Sequence, residues 1–173
     1  WVGTNAGLAY RNHGHTRLYT LADGLPALQV QALYRDRAGV LWIGTNDGIA
    51  ALAANGTLRR WPAGSGFPAH NAFDFLEDAD GTLWIGSDCG LLRLRDGRFR
   101  VYDHRVGLPL DKLFRVIDDG HGHLWATSNQ GVFRIARDII AQLDAGRRAE
   151  LAVEVVDRSD GMPGNQSNGS SAP

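Results

Sequence analysis

One phrase of about a dozen residues recurs along this chain, and its step limits the possible folds more than any other feature. It reads LWIGTNDGIAAL from Leu41, LWIGSDCGLLRL from Leu83 and LWATSNQGVFRI from Leu124, and the chain opens inside a copy, WVGTNAGLAY from Trp1. The anchor tryptophans Trp1, Trp42, Trp84 and Trp125 stand 41, 42 and 41 residues apart. A second marker keeps step at Gly24-Leu25-Pro26, Gly66-Phe67-Pro68 and Gly107-Leu108-Pro109, and returns after a longer interval at Gly161-Met162-Pro163. A third marker precedes each internal tryptophan: Asp36–Gly39, Asp78–Gly81 and Asp119–Gly122. Three markers in register mean a repeat architecture with one supersecondary unit per period.

The unit reads as four short strands. In the second copy these are Val30–Asp36, Val40–Thr45, Ile49–Ala54 and Leu58–Trp61, separated by DRAG, NDG and NG turns. Turn signals at this density exclude helical repeats of similar period, because glycine and Asn-Gly break helices. Four strands joined by tight turns in some forty residues is a propeller blade. The expected fold is therefore all-β: a β-propeller of four-stranded antiparallel blades. Its divisions are a partial blade over 1–21, blades over 22–62, 63–103 and 104–157, and a loop with the start of a next blade over 158–173. Propellers close with several blades. Because the chain starts mid-motif and its tail is polar, it is expected to be a fragment of a larger ring. The alternative is a four-bladed ring closed by the tail pairing with the Trp1 blade. A fragment should expose apolar blade faces.

The motif residues have structural jobs. Leu, Trp and Ile in succession imply a strand buried on both faces, packed between neighbouring blades. Gly44, on the same side as Trp42, leaves room for close packing. Gly7, Gly48, Gly90 and Gly131 each follow Asn or Asp by two residues and are expected to supply the positive φ of a tight turn. Arg93, Arg95, Arg98 and Arg100 alternate around Asp96-Gly97 and read as a charged, solvated blade edge. Between the third and fourth strands of the last full blade lies ARDIIAQLDAGRRAE. It predicts one short inserted helix near 138–146, with Asp138 as N-cap and Gly146 as stop.

Charge and composition narrow the function. A net charge of −1 argues against nucleic acid as a partner, which would need a dense basic patch. The single cysteine, Cys89, forbids an intrachain disulfide and reads as a turn residue. No apolar run reaches membrane-spanning length. His121 and His123 beside Asp118 and Asp119 occupy a turn that is DADG in the preceding blade, and His13 and His15 flank another turn. Neither pair predicts a metal site, no cofactor motif is present, and no triad or nucleophile-elbow pattern predicts catalysis.

A blade's up-and-down path puts alternate connections on one face. The turn between the second and third strands supplies Asn46, Asp47, Asp88, Asn129 and Gln130. The blade-to-blade loops supply His70, Asn71 and Lys112, the only lysine. Loops on a rigid scaffold are where binding sits, so these eight residues form the candidate ligand-binding face.

With GLP upstream and Asp-x-x-Gly before the tryptophan, the LWIGTNDGIAAL phrase resembles the two-component regulator propeller repeat over nearly the whole chain. Trp125-Ala126-Thr127 departs from its Trp-Ile-Gly core. The resemblance implies the extracytoplasmic, periplasmic sensor segment of a bacterial inner-membrane receptor, non-catalytic itself. Its output would be a downstream histidine kinase or diguanylate cyclase, and the full receptor could be a homodimer. Partners would be the remaining blades, that output domain, and an unknown small molecule, saccharide or peptide ligand. The competing readings are a protein-docking propeller scaffold and a propeller lyase or hydrolase.

Overall fold

In the computed structural model, residues 1–162 and residue 164 are described. Most of the tail expected to begin another blade lies outside the described residues. The first sheet has three antiparallel strands, β1 (Val2–Thr4), β2 (Gly7–Asn12) and β3 (His15–Tyr19). Three four-stranded sheets follow. The second blade comprises β4 (Val30–Arg35), β5 (Leu41–Thr45), β6 (Gly48–Leu52) and β7 (Leu58–Pro62). The third comprises β8 (Ala72–Glu77), β9 (Leu83–Ser87), β10 (Gly90–Arg95) and β11 (Arg98–Tyr102). The fourth comprises β12 (Arg115–Asp118), β13 (His123–Ser128), β14 (Gly131–Ala136) and β15 (Val153–Val156). All strand pairings are antiparallel and follow chain order within each blade. This is an all-β propeller with one inserted helix.

The first strands pack on one another in sequence, β4 on β8 and β8 on β12, and so line the axis. The tryptophan motif is thus the second strand from the axis, not the innermost one, and β1 is its copy in the first blade. Burial follows from that position. Every residue of β6 and of β9 is buried, because each lies between two blades. Three apolar cores form among the described residues, one between each pair of adjacent blades. Ile43 and Leu8 belong to the first, Phe67 and Ile85 to the second, Leu113 and Phe133 to the third. Each fully buried Leu, Ile or Phe contributes about 1.5–3 kcal/mol. Among the described residues, five of the seven exposed large apolar residues fall on the terminal blades, Trp1, Val2 and Leu18 at one end and Ile117 and Val155 at the other; Leu21 and Leu28 lie in the connection between the first two blades. That is how an arc of a larger ring should look.

Two glycine positions show why the motif repeats. A Cβ on Gly44 would stand 2.6 Å from the Ala72 carbonyl oxygen of the next blade, so the motif's first glycine sets the blade-to-blade distance. Gly90 has φ +118, and a Cβ there would stand 2.2 Å from the Tyr102 carbonyl oxygen. The second glycine therefore serves both the turn and the approach of the fourth strand.

Two expectations need correction. The helix α1 runs Arg137–Asp144, and Ala136 stands at its N-cap without a side-chain bond. Asp138 lies inside the first turn, where its carboxylate accepts the Ile139 N–H and favours the positive helix end. The four alternating arginines are not simply a solvated edge. Arg93 and Arg100 both pair with Asp144 of α1, and Tyr102 donates its hydroxyl to the same carboxylate at 2.9 Å. Ile140 and Leu143 bury the helix's apolar side in the core between the third and fourth blades. Arg137 grips Asp78 of the third blade and Asp118 of the fourth, each at 2.6 Å. The insertion is a clasp across two blades.

Candidate functional site

The face formed by the turns after each motif strand has a frame that repeats four times. A hydroxyl at the strand's end donates to the carbonyl of the turn glycine: Thr4 to Gly7, Thr45 to Gly48 and Ser87 to Gly90 at 2.8 Å, Ser128 to Gly131 at 2.9 Å. The same oxygens accept the N–H groups of Ala6, Asp47, Cys89 and Gln130. Both bonds hold the turn without using the side chains at its tip, so those tips vary freely.

Blade-to-blade loops join this frame through the backbone. The Gly48 N–H donates to the His70 carbonyl at 2.8 Å, and the Leu113 N–H to the Ser87 carbonyl at 2.9 Å. Between the second and third blades the side chains then converge. Asp88 accepts the His70 N–H at 3.1 Å, the Asn71 N–H at 2.9 Å and the Asn71 side-chain amide at 2.9 Å. The His70 Nδ1 lies 3.1 Å from Asp47, and the Asn71 side-chain oxygen accepts the Gln31 amide at 3.0 Å. Asp47, His70, Asn71 and Asp88 thus form one network across two blades. Asn46 is exposed beside it. Lys112 lies in the next loop with its Nζ 5.5 Å from the Phe73 ring centre and 5.7 Å from that of Phe114, a cation–π arrangement. Asn129 and Gln130 are exposed on the fourth blade's turn, and among the described residues no hydrogen bond joins them to the network.

The sequence pattern does not single out Gln31, Phe73 and Phe114. They fall in step, one per blade, on the axis side. β4 and β8 each shift register at this position, between Val30 and Ala32 and between Ala72 and Asp74, so one extra residue bulges from the ladder. The Gln31 Oε1 is buried and finds no donor among the described residues. The three positions stand 42 and 41 residues apart, a step that every position of the repeat shares, so the step alone does not mark them out.

Burial and hydrogen bonding set the titration of three groups near the blade ends. Burial pushes the Cys89 thiol up, and the Ser87 hydroxyl only partly opposes it, so the sulfur stays protonated and unreactive at neutral pH. Burial also pushes the Asp74 carboxyl up, against the Val116 N–H and the Arg115 guanidinium. Asp119 sits on the opposite face. Burial raises it, but the His121 N–H, the Trp125 indole and the His123 N–H together hold it well below the usual carboxylate range. It is therefore an anchor for its tryptophan, as Asp36 is for Trp42 at 2.8 Å and Asp78 for Trp84 at 2.7 Å. Among the described residues, no group of three or more His, Cys, Asp or Glu is placed to hold a metal ion.

The family described as two component regulator propeller matches residues 24–47 and again residues 66–89. Two stretches of this chain are thus similar to the two component regulator propeller repeat. Each matched stretch runs from the Gly-x-Pro loop, through the innermost and motif strands, to the turn on the candidate face. No curated protein sequence matches the chain. Among solved structures, the chain is similar to the extracellular domain of a hybrid two component system from B. thetaiotaomicron. That likeness has TM-score 0.76 at 22% identity over 96% of this chain and 22% of the other. A second such domain from B. thetaiotaomicron gives TM-score 0.67 at 19% identity over 80% and 20%. The virginiamycin B lyase of Staphylococcus aureus gives 0.62 at 17% identity over 86% and 47%. The chain thus spans about a fifth of the two-component structures, and at these identities the likeness shows the fold.

Proposed function

We propose that this chain is part of the input propeller of a bacterial signal-transduction receptor. It acts on the extracytoplasmic side, does no chemistry of its own, and meets its ligand with the turn-and-loop face. The observation that carries this reading is the pair of family matches. Both cover the innermost strand, the motif strand and the face turn of a blade, and both end on that face, at Asp47 and Cys89. The likeness to extracellular domains of two-component systems agrees with it. No helix among the described residues is long and apolar enough to cross a membrane, so the signal would leave through further blades and an output domain.

The ligand is a small molecule, saccharide or peptide that hydrogen-bonds to Asp47, His70, Asn71 and Asp88 and reaches Lys112, with Asn46, Asn129 and Gln130 as neighbouring contacts. Gln31 supplies a buried acceptor in want of a donor. The test is output from the full receptor in response to candidate ligands, with Asn71→Ala and Lys112→Ala set against wild type. Lost response with unchanged folding supports the reading. Unchanged response in both variants overturns the site, and turnover of a ligand by the propeller overturns the non-catalytic role.

A further inference from the structure

Three blades repeat one device on the side of their outer strands. An arginine two residues before the last aromatic of the fourth strand lies over that ring. Arg17 stands 4.3 Å from the centre of Tyr19, Arg59 stands 5.0 Å from Trp61 and Arg100 stands 5.7 Å from Tyr102. Each ring packs on its blade's motif tryptophan, with centroids 5.6 Å apart for Trp1–Tyr19, 5.6 Å for Trp42–Trp61 and 5.9 Å for Trp84–Tyr102. In the first blade the guanidinium meets Asp23 at 3.4 Å. In the third it meets Asp144 of α1 at 2.8 Å. Arg59 has the ring but, among the described residues, no carboxylate.

The groove beside Arg59 is also open. Between the second and third blades lies a cleft of about 220 Å³ with Trp42, Arg59 and Trp61 on one wall and Leu94 and Arg95 on the other. Its counterpart between the third and fourth blades is partly covered by α1, which sets Ile140 and Asp144 against Trp84 and Arg93 at the edge of a cleft of about 380 Å³. The difference traces to one connection. The third blade joins its last two strands by a tight turn at Asp96-Gly97, and the fourth inserts the helix there.

We propose that the open groove is a docking site for a helical segment of a partner protein, one that presents an apolar side chain and, four residues on, an aspartate or glutamate. The template is α1 itself: Ile140 and Asp144 lie one turn apart and make these two contacts in the neighbouring groove, where Asp144 also meets Arg93 and Tyr102. The open groove has Ala51 and Trp61 at those places, so Arg59 alone would hold the acid. A cleft of this volume accepts a side chain or two and not a helix, so the segment lies across the mouth and inserts its apolar residue. The acids at the cleft set the pose. Asp36 already accepts the Trp42 indole, Glu77 accepts the Tyr34 hydroxyl and the Arg37 N–H, and Asp96 stands beside Arg95 at 3.9 Å on the far wall. The partner's carboxylate is therefore excluded from the cleft floor and meets Arg59 at the rim. Pairing at Arg59 is a charge-assisted, potentially bidentate contact.

The probe is a fluorescent, end-blocked peptide with the sequence of residues 136–146, titrated into the full chain by anisotropy. The chain's own α1 keeps its groove through its high effective concentration, so the peptide reports the open one. The expected result is saturable binding that weakens about tenfold in Arg59→Gln and about tenfold when the peptide carries Asp144→Asn. The two changes together should cost little more than either alone, the signature of a direct pair. Melting curves of Arg59→Gln, an exposed position, check that the fold is intact. Three outcomes overturn the proposal: no saturable binding, binding indifferent to Arg59→Gln, or an equal loss from Arg98→Gln, which would mean a diffuse basic surface.

Discussion

The two interior grooves of this arc start from the same parts and end differently. Between the third and fourth blades, Trp84, Tyr102 and Arg100 are roofed by α1, and the helix's Asp144 gathers Arg93, Arg100 and Tyr102. Between the second and third blades, Trp42, Trp61 and Arg59 face a cleft. The contrast reaches the axis. At the inner end of the filled pair, Asp74 of β8 accepts the Val116 N–H of β12 at 2.9 Å, and the matching residue of the second blade is Ala32. A repeat fold fixes the frame, and one inserted connection with one polar exchange decides which blade pair carries a helix across its outer groove.

The comparison breaks most readily at the helix. Ile140 is 3% exposed, and Ile140→Ala removes a side chain from the core of the filled groove. The expected cost is about 2–4 kcal/mol in urea unfolding. A cost below about 1 kcal/mol would make α1 an appendage resting on the blades, and the filled and open grooves would then differ little in energy. Next in size is Asp144→Asn. It leaves Arg93 and Arg100, directly opposite on neighbouring strands, without their shared anion. Like charges so placed repel, and Asp144 is largely shielded, so about 1–3 kcal/mol is expected, shrinking as salt rises.

These effects explain how much the sequence could reveal. The four-stranded antiparallel units and the inserted helix were legible because they rest on period and turn chemistry, which are local and repeated. Asp36, Asp78 and Asp119 were visible as markers, but the bonds to their tryptophan indoles needed the fold. The arginine alternation of β10 and β11 was visible too, and its meaning was not. An exposed strand edge and a helix-docking surface have the same sequence, and only the position of α1 separates them. On the candidate face, Asp47 and Asp88 were legible as turn tips. Gln31 and Phe73 were hidden, because a bulge that turns a side chain toward the axis leaves no local mark.

A smaller effect sharpens the axial end of the contrast through pH. Burial raises the Asp74 carboxyl above its unfolded value. The sign follows from proton binding: the folded state holds this proton more tightly than the unfolded state does. Its contribution is fully present at low pH and is lost as pH rises through the folded value. Asp74→Asn keeps an acceptor for the Val116 N–H and removes the buried charge. The variant should therefore gain stability relative to wild type at neutral pH, by up to about 1 kcal/mol, and lose that advantage below about pH 4. Thermal melts of both proteins at pH 3.5 and pH 7.5 test this, and a larger advantage for the variant at the lower pH would reverse the assignment of burial as the dominant cause.

The smallest expected effect isolates Arg59. Arg100→Gln should cost stability, though modestly, because its side chain is 42% exposed and solvent screens the pair with Asp144. Arg59→Gln should change the melting free energy by no more than about 0.5 kcal/mol, because the arginine has a ring beneath it and, among the described residues, no carboxylate to lose. An arginine that contributes nothing to the fold it decorates, yet occupies the position where two sister blades hold an acid, is free to hold an acid from elsewhere. If Arg59→Gln instead destabilised the chain as much as Arg100→Gln, its stacking on Trp61 would be structural, and the open groove would be no more than a gap between blades.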